Sequence, residues 1–358
     1  MLVDLALVGY GHVGRRFARL LDERRDLLER AFDLTCRVTG IATRRHGAIH
    51  CAEGVDALAA ALLVEAGGSL SDLRSSGQNA AVSGSHALIA ALAKSPAPLR
   101  VLVETTTLDI AAAQPALAYV QAALEAGCHV VTANKGPVAF AYQELSSIAT
   151  RSGTLFLFEG AVMDGVPVFN LVRETMPAVS IEGFRGVVNS TTNHILTALE
   201  DGDEYAPALA HMQAEGIAEA DPSLDVDGWD AAAKAAALAN VFLDGRVTPH
   251  DVDRTGIGSD TAFWAREAKT RGCRVRLVAS ARRGSRPVVR PVELPQDDLL
   301  AGLRGMANAL VLDTDTLGEV VICQLDGGLT HTAYALLSDL ITIRKHGLSD
   351  DLVVSGAP

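Results

Sequence analysis

Along the first 135 residues, hydrophobic positions fall into short, nearly continuous runs separated by stretches with helical spacing. Residues 2–8 form such a run, the pattern of a strand buried on both faces of a parallel sheet. It passes directly into Gly9-Tyr10-Gly11-His12-Val13-Gly14 and then into a helical stretch over 15–29. Further strands are expected over 34–42, 100–106 and 129–135, with a helix over 112–126 that stops at Gly127. Strands alternating with helices predict an α/β fold built on a doubly wound parallel sheet.

Beyond residue 150 the pattern changes. Strand-like runs at 154–158 and 182–188 surround helices at 192–200 and 206–215, and β-rich runs recur at 274–279, 287–292 and 319–323. A helix over 330–344 ends the series. The expected organisation is a nucleotide-binding domain over 1–140 and an α+β domain over 141–322. A helix over 323–346 then returns to the first domain, followed by a flexible tail, 347–358.

Composition narrows the class. Hydrophobic residues make up 49% and charged residues 21%, so the chain buries a sizeable core. There are 31 Lys and Arg against 43 Asp and Glu, a net charge of −12 without any basic cluster, so no nucleic-acid partner is expected. No apolar run reaches the roughly 18–20 residues of a membrane helix, and no basic segment precedes the first apolar run as in a signal peptide. The five cysteines, Cys36, Cys51, Cys128, Cys273 and Cys323, form no CxxC pair, which points to a reducing compartment, the cytoplasm.

Two segments carry chemistry. The glycine motif sits between a strand and a helix, the context of a dinucleotide site. Gly9 would permit the tight turn, Gly11 the close approach of a pyrophosphate and Gly14 close helix packing, with the helix N-terminus at His12 and Val13 facing the phosphates. At the end of the second strand an NAD site places a carboxylate, but this chain reads Thr43-Arg44-Arg45-His46. Two guanidiniums suit a 2′-phosphate, so NADP is expected, with NAD as the alternative; a merely solvated loop is the other reading of Arg44 and Arg45.

The second segment runs from Glu219, Asp221 and Asp225 into Asp227-Gly228, a helix start, and the alanine-rich stretch 229–240. Asp230 and Lys234 stand four residues apart on one helix face. On a surface they would be an ordinary ion pair, but the rest of the helix is apolar, where a charged pair needs a use. Carboxylates could bind an amino group, and the lysine could exchange a proton with a hydroxyl or carbonyl oxygen of a small substrate.

These segments together resemble the homoserine dehydrogenases. The matches are GYGHVG, Glu104-Thr105-Thr106, Val130 to Ala139 around Thr132-Ala133-Asn134-Lys135, the segment 159–167, Gly186 to Leu196, Ala218 to Lys234, Val247 to Val252, and Thr332 to Ala335 with Asp339. The resemblance implies a Rossmann domain and an oxidoreductase interconverting aspartate semialdehyde and homoserine, on the branch to threonine and methionine. It further implies a homodimer, without an ACT domain after the catalytic core. It makes Lys234 the acid/base lysine, Asp230 its substrate-binding partner, and Lys135 a catalytic lysine shared by cofactor and substrate. Glu219, Asp225 and Thr191 would meet the substrate, and Thr105, Thr106, Ala133, Asn134 and Gly328 the cofactor. Glu159, Val162, Asp164 and Val166 fall on a loop that holds Na+ or K+, largely through backbone carbonyls.

The chain departs from the family in places. Ser190 stands where the family has Gly, His194 where it has Tyr, Ile217 where it favours Tyr, Met163-Asp164 in the cation loop and Asp326-Gly327-Gly328 at the last glycine turn. Two alternatives stay open: a reductase of a related amino-acid semialdehyde or hydroxy amino acid, and a cofactor-binding protein without turnover.

Overall fold

Leu2–Val8 forms β1, buried from Val3 onward, at the centre of a seven-stranded sheet. This computed structural model describes residues 1–73, 80–214 and 222–354. The other strands of the sheet are β2 (Thr35–Ala42), β3 (Ala48–His50), β4 (Ala80–Ala81), β5 (Leu99–Glu104), β6 (His129–Thr132) and β7 (Phe156–Leu157). Their order is β4-β3-β2-β1-β5-β6-β7. β2, β1, β5, β6 and β7 are parallel, and β3 and β4 add antiparallel strands beyond β2. The chain builds outward from β1 on one side and then crosses to β5 on the other. The carboxyl ends of β1 and β5 therefore flank a topological switch point, where open α/β sheets bind ligands.

The helices of this unit are α1 (His12–Glu23), α2 (Arg25–Phe32), α3 (Ala57–Glu65), α4 (Ser85–Ala93), α5 (Ala116–Glu125) and α6 (Lys135–Ser152). Three differ from the sequence pattern. The stretch 15–29 splits because Arg24 leaves helical geometry (φ −108°, ψ 5°). α5 starts at Ala116, not 112, because the Asp109 carboxylate gathers the N–H groups of Ala111, Ala112 and Gln114 into a turn ahead of Pro115. β6 stops at Thr132, and the Asn134 side chain accepts from the Gly136 N–H to cap α6, so Lys135 opens a helix rather than closing a strand.

The chain divides into two compact units, 1–137 with 143–165 and the segment from 328 onward, and 138–142 with 166–327. The expected boundary at 140 thus moves to 165, because β7 joins the first sheet beside β6. The boundary at 322 moves to 327, because the last strand of the second unit runs to Gln324. A C-terminal helix, Leu329–Val354, returns to the first unit, where Ala333, Leu336, Leu337, Leu340 and Ile343 share a core with Leu5, Leu7 and Phe17. Most of the expected tail is therefore helical, and 355–358 lie outside the described residues.

The second unit carries α7 (Phe169–Thr175), β8 (Ile181–Val187), α8 (Ser190–Asp201), α9 (Tyr205–Ala214), α10 (Ser223–Val226), α11 (Trp229–Phe242), β9 (Asp253–Arg254), α12 (Ser259–Thr270), β10 (Cys273–Arg282), β11 (Val288–Pro295), β12 (Asn308–Thr314) and β13 (Gly318–Gln324). Its sheet has the order β13-β12-β8-β10-β11-β9, antiparallel except for β9 beside β11. β12, absent from the sequence reading, is a central strand buried from Asn308 to Leu312. On β10, Arg276 is fully buried against Glu200 of α8 and donates to the Ala301 carbonyl (2.9 Å).

Candidate functional site

The nucleotide end is built by three glycines and the tips of β1, β5 and β6. Gly9 leaves β1 with φ +88°, and a Cβ there would lie 2.5 Å from the Thr105 backbone. A Cβ on Gly14 would lie 2.5 Å from the Gly9 carbonyl. A Cβ on Gly11 would meet nothing within 4 Å, so the backbone there is open to an approaching ligand. Gly11 caps α1, whose first turn, starting at His12 and Val13, leaves N–H groups without helical acceptors. The Thr105 hydroxyl donates to the Gly9 carbonyl (2.6 Å), fastening the end of β5 to the glycine turn.

Glu104 organises the neighbouring tips. It is fully buried at the end of β5 and accepts from the Thr106 N–H (2.7 Å), the Thr106 hydroxyl and the Thr132 hydroxyl (2.6 Å). Burial pushes its carboxyl above the usual range, against the pull of these bonds. Asn134 donates to the Thr106 carbonyl (3.2 Å), and the Ala133 N–H to the Glu104 carbonyl (3.3 Å). Thr105, Thr106, Ala133, Asn134 and Lys135 thus come together on one framework.

Arg44 and Arg45 are exposed in the turn between β2 and β3. The Thr43 hydroxyl shapes that turn, accepting from the His46 N–H (2.7 Å) and donating to the Gly47 carbonyl (3.2 Å).

In the second unit, α11 is buried from Ala231 to Asn240 except at Lys234. The Lys234 ammonium lies 3.0 Å from Asp230 and donates to the Val188 carbonyl (2.6 Å). The next residue, Asn189, donates from one amide nitrogen to Asp225 (2.7 Å) and Asp230 (3.0 Å). Burial, and then the Asp230 charge, raise the Asp225 carboxyl above its usual range, while Asn189, Lys234 and Thr191 pull it down. Thr191 is buried on the first turn of α8. Chemically this is one cation held by a carboxylate and a carbonyl, with a second carboxylate tied in through Asn189, a set able to bind an ammonium group and to move a proton.

A family model described as homoserine dehydrogenase, NAD binding domain, matches residues 9–159, and one described as homoserine dehydrogenase matches 167–341. The chain belongs to the homoserine dehydrogenase family. It is 35% identical over 345 residues to the NAD(+)-dependent homoserine dehydrogenase of Pseudomonas canavaninivorans, covering 95% of this chain and 96% of that one. A solved structure of a putative homoserine dehydrogenase from Archaeoglobus fulgidus superposes with a TM-score of 0.82 at 31% identity, over 96% of this chain and 99% of that one. A hyperthermophilic archaeal homoserine dehydrogenase in complex with NADPH superposes with a TM-score of 0.78 at 31% identity, over 96% and 98%.

The remaining residues that the family resemblance singled out divide as follows. Glu219, with Ile217, lies outside the described residues. Glu159 is buried and its N–H donates to Asp339 (2.9 Å), and Val162 is buried beside it. The Asp164 carboxylate accepts from the Gly328 N–H (3.3 Å) and the Thr332 hydroxyl (3.1 Å), so it fastens the start of the C-terminal helix. Gly328 is held by that same contact, while Val166 belongs to the second unit. Among the described residues no group of three or more His, Cys, Asp or Glu is placed to hold a metal. Two polar hubs went unread in the sequence. Asn189 showed only as a motif letter, and Asn240 on α11 donates to the carbonyls of Val138 (3.2 Å), Ala139 (3.1 Å) and Val247 (2.9 Å).

Proposed function

We propose that this chain interconverts L-aspartate 4-semialdehyde and L-homoserine, with NADP(H) as its nicotinamide. The observation that carries the reading is the charged network on an otherwise buried helix, Lys234 with Asp230, Val188, Asn189 and Asp225, in a chain of this family.

As an ammonium, Lys234 gives a proton to the aldehyde oxygen in the reducing direction, and as a neutral amine it takes the proton of the C4 hydroxyl in the oxidising direction. Asp230 orients that lysine and, with Asp225, Glu219 and Thr191, receives the substrate's polar groups. When bound, the nicotinamide supplies the hydride exchange at the same carbon. Gly9, Gly11 and Gly14 fit its pyrophosphate, since Gly11 leaves open space above the first turn of α1. Thr105, Thr106, Ala133, Asn134 and Gly328 complete its contacts, and Lys135 is the lysine it shares with substrate.

Arg44 and Arg45 support NADP(H), being exposed on a structured turn with no carboxylate at the end of β2. The NAD(+)-dependent relative keeps NAD as the alternative. The reading extends to a homodimer, which the family resemblance implies, and to the cytoplasm, which the five cysteines without a CxxC pair fit. It also places a monovalent cation on the loop from Glu159 to Val166. The buried Glu159 carboxylate suits it, with the Asp164 carboxylate and backbone carbonyls of the loop, among them those of Val162 and Val166, as the other donors.

Turnover of homoserine with NADP+ and with NAD+, followed at the nicotinamide absorbance, tests the reading. Reduction of either cofactor supports the reaction, and faster use of NADP+ supports the preference. Absence of turnover between about pH 7 and about pH 10 overturns it. Titration with K+ or Na+ in the same assay tests the cation, and light scattering the dimer.

A further inference from the structure

We propose that Asn189 is a positioning residue that holds Asp225 and Asp230 side by side as two separate carboxylates, leaving one negative charge beyond that matched by Lys234 to receive the substrate's ammonium group. The inference deepens the proposed homoserine reaction and rests on it.

The geometry is specific. The amide nitrogen of Asn189 has two hydrogens and two carboxylate acceptors, Asp225 at 2.7 Å and Asp230 at 3.0 Å. Its oxygen accepts from the Thr192 N–H (2.8 Å) and hydroxyl (2.9 Å). All its capacity is used, and the amide has one orientation. Flipped, it would point its oxygen at two carboxylates and its N–H groups at the Thr192 N–H. The preceding residue, Val188, accepts from Lys234, so two consecutive positions after β8 fix both the ammonium and the carboxylates.

Electrostatics gives this arrangement a purpose. Two carboxylates brought together tend to share one proton. The groups facing Asp225 are Asp230 and Lys234 from α11 and Asn189 and Thr191 from the segment opening α8, with Glu219 outside the described residues. Two amide hydrogens placed between the acids lower the cost of keeping both charged. Against one lysine, the pair then retains a single surplus negative charge, which suits an amino-acid ammonium.

Asn189 is also the N-cap of α8, so a merely structural role must be separated. Asp and Ser cap helices about as well as Asn, yet neither supplies the amide donors. Asn189→Ser and Asn189→Asp are compared with the wild-type enzyme after wild-type homoserine turnover has been established; failure of that step refutes the reading, not this proposal. Loss of hydrogen bonds to charged groups predicts a rise of about tenfold to about a hundredfold in KM for homoserine in both variants, with KM for NADP+ unchanged. In Asn189→Asp the acid limb of kcat/KM for homoserine should also move to higher pH, since a third carboxylate makes Asp225 easier to protonate. A homoserine KM within about twofold of wild type in either folded variant, or parallel losses in both KM values that track the melting temperature, overturns the proposal.

Discussion

The Lys234 ammonium donates to the carbonyl of Val188 at 2.6 Å, so the acid/base candidate on α11 is anchored by the first residue after β8. With Asp230 at 3.0 Å, the lysine has a fixed direction on a helix that is otherwise buried from Ala231 to Asn240. Lys234→Ala should lower kcat by roughly 10²–10⁴-fold while NADP(H) binding survives. Asp230→Asn should lower kcat as well, because it removes the charge that orients the lysine. If both variants keep kcat within about threefold, the pair is structural and the proton transfer belongs to Lys135.

Arg44 stands exposed on the turn shaped by Thr43, where a 2′-phosphate would arrive. A charge-assisted hydrogen bond of roughly 1.5–3 kcal/mol corresponds to about tenfold to about a hundredfold in KM. Arg44→Ala should raise KM for NADP+ by that factor and leave KM for NAD+ nearly unchanged. Equal losses for both cofactors would contradict the role.

Glu104 predicts a pH dependence of stability. Its carboxyl is raised from an ordinary value of 4.5 by burial, so the folded state binds the proton more tightly than the unfolded chain. The stabilisation is complete below about pH 4.5 and is lost as pH rises through the raised value. Glu104→Gln keeps the shape and removes the titration, so its melting temperature relative to wild type should climb as pH rises from about 4.5 through the raised value and level off above it. Parallel melting curves across the range would show that Glu104 does not titrate differently on folding.

Arg276 tests the second unit's core. It is fully buried with Glu200, and Arg274 lies 3.4 Å from the other Glu200 oxygen. Arg276→Met strands much of the Glu200 charge and should cost about 3–5 kcal/mol in urea unfolding. Adding Glu200→Leu should recover most of the loss. A single variant within about 1 kcal/mol of wild type would show that the pair is not needed.

In the first sheet β1, β2, β5 and β6 were legible as short, mostly apolar runs, while β3 and β4 were not, and its glycines mark a turn that sterics impose at Gly9 and Gly14. The Asp230 and Lys234 pair was legible from its spacing on an alanine-rich helix. Less local features were hidden. β7 lies in the strand-like run at 154–158, but its pairing with β6 in the first sheet depends on a partner that the run itself does not name. Lys135 looked like a strand end because the apolar run before it masks the cap supplied by Asn134. Asn189 and Glu104 act through partners dozens of residues away, Asp225 and Asp230 for one and Thr132 for the other, and spacing alone does not reveal such bonds.

The C-terminal helix has a consequence for the order in which the molecule assembles. The glycine turn and the first strands leave the ribosome before the second unit is made, but Ala333, Leu336, Leu340 and Ile343, which close their core, leave after it. The nascent nucleotide unit must therefore wait, with part of its apolar surface uncovered, while the whole second unit is made. Folding of the two units is thereby nested: the inserted unit has its complete sequence before the one that encloses it.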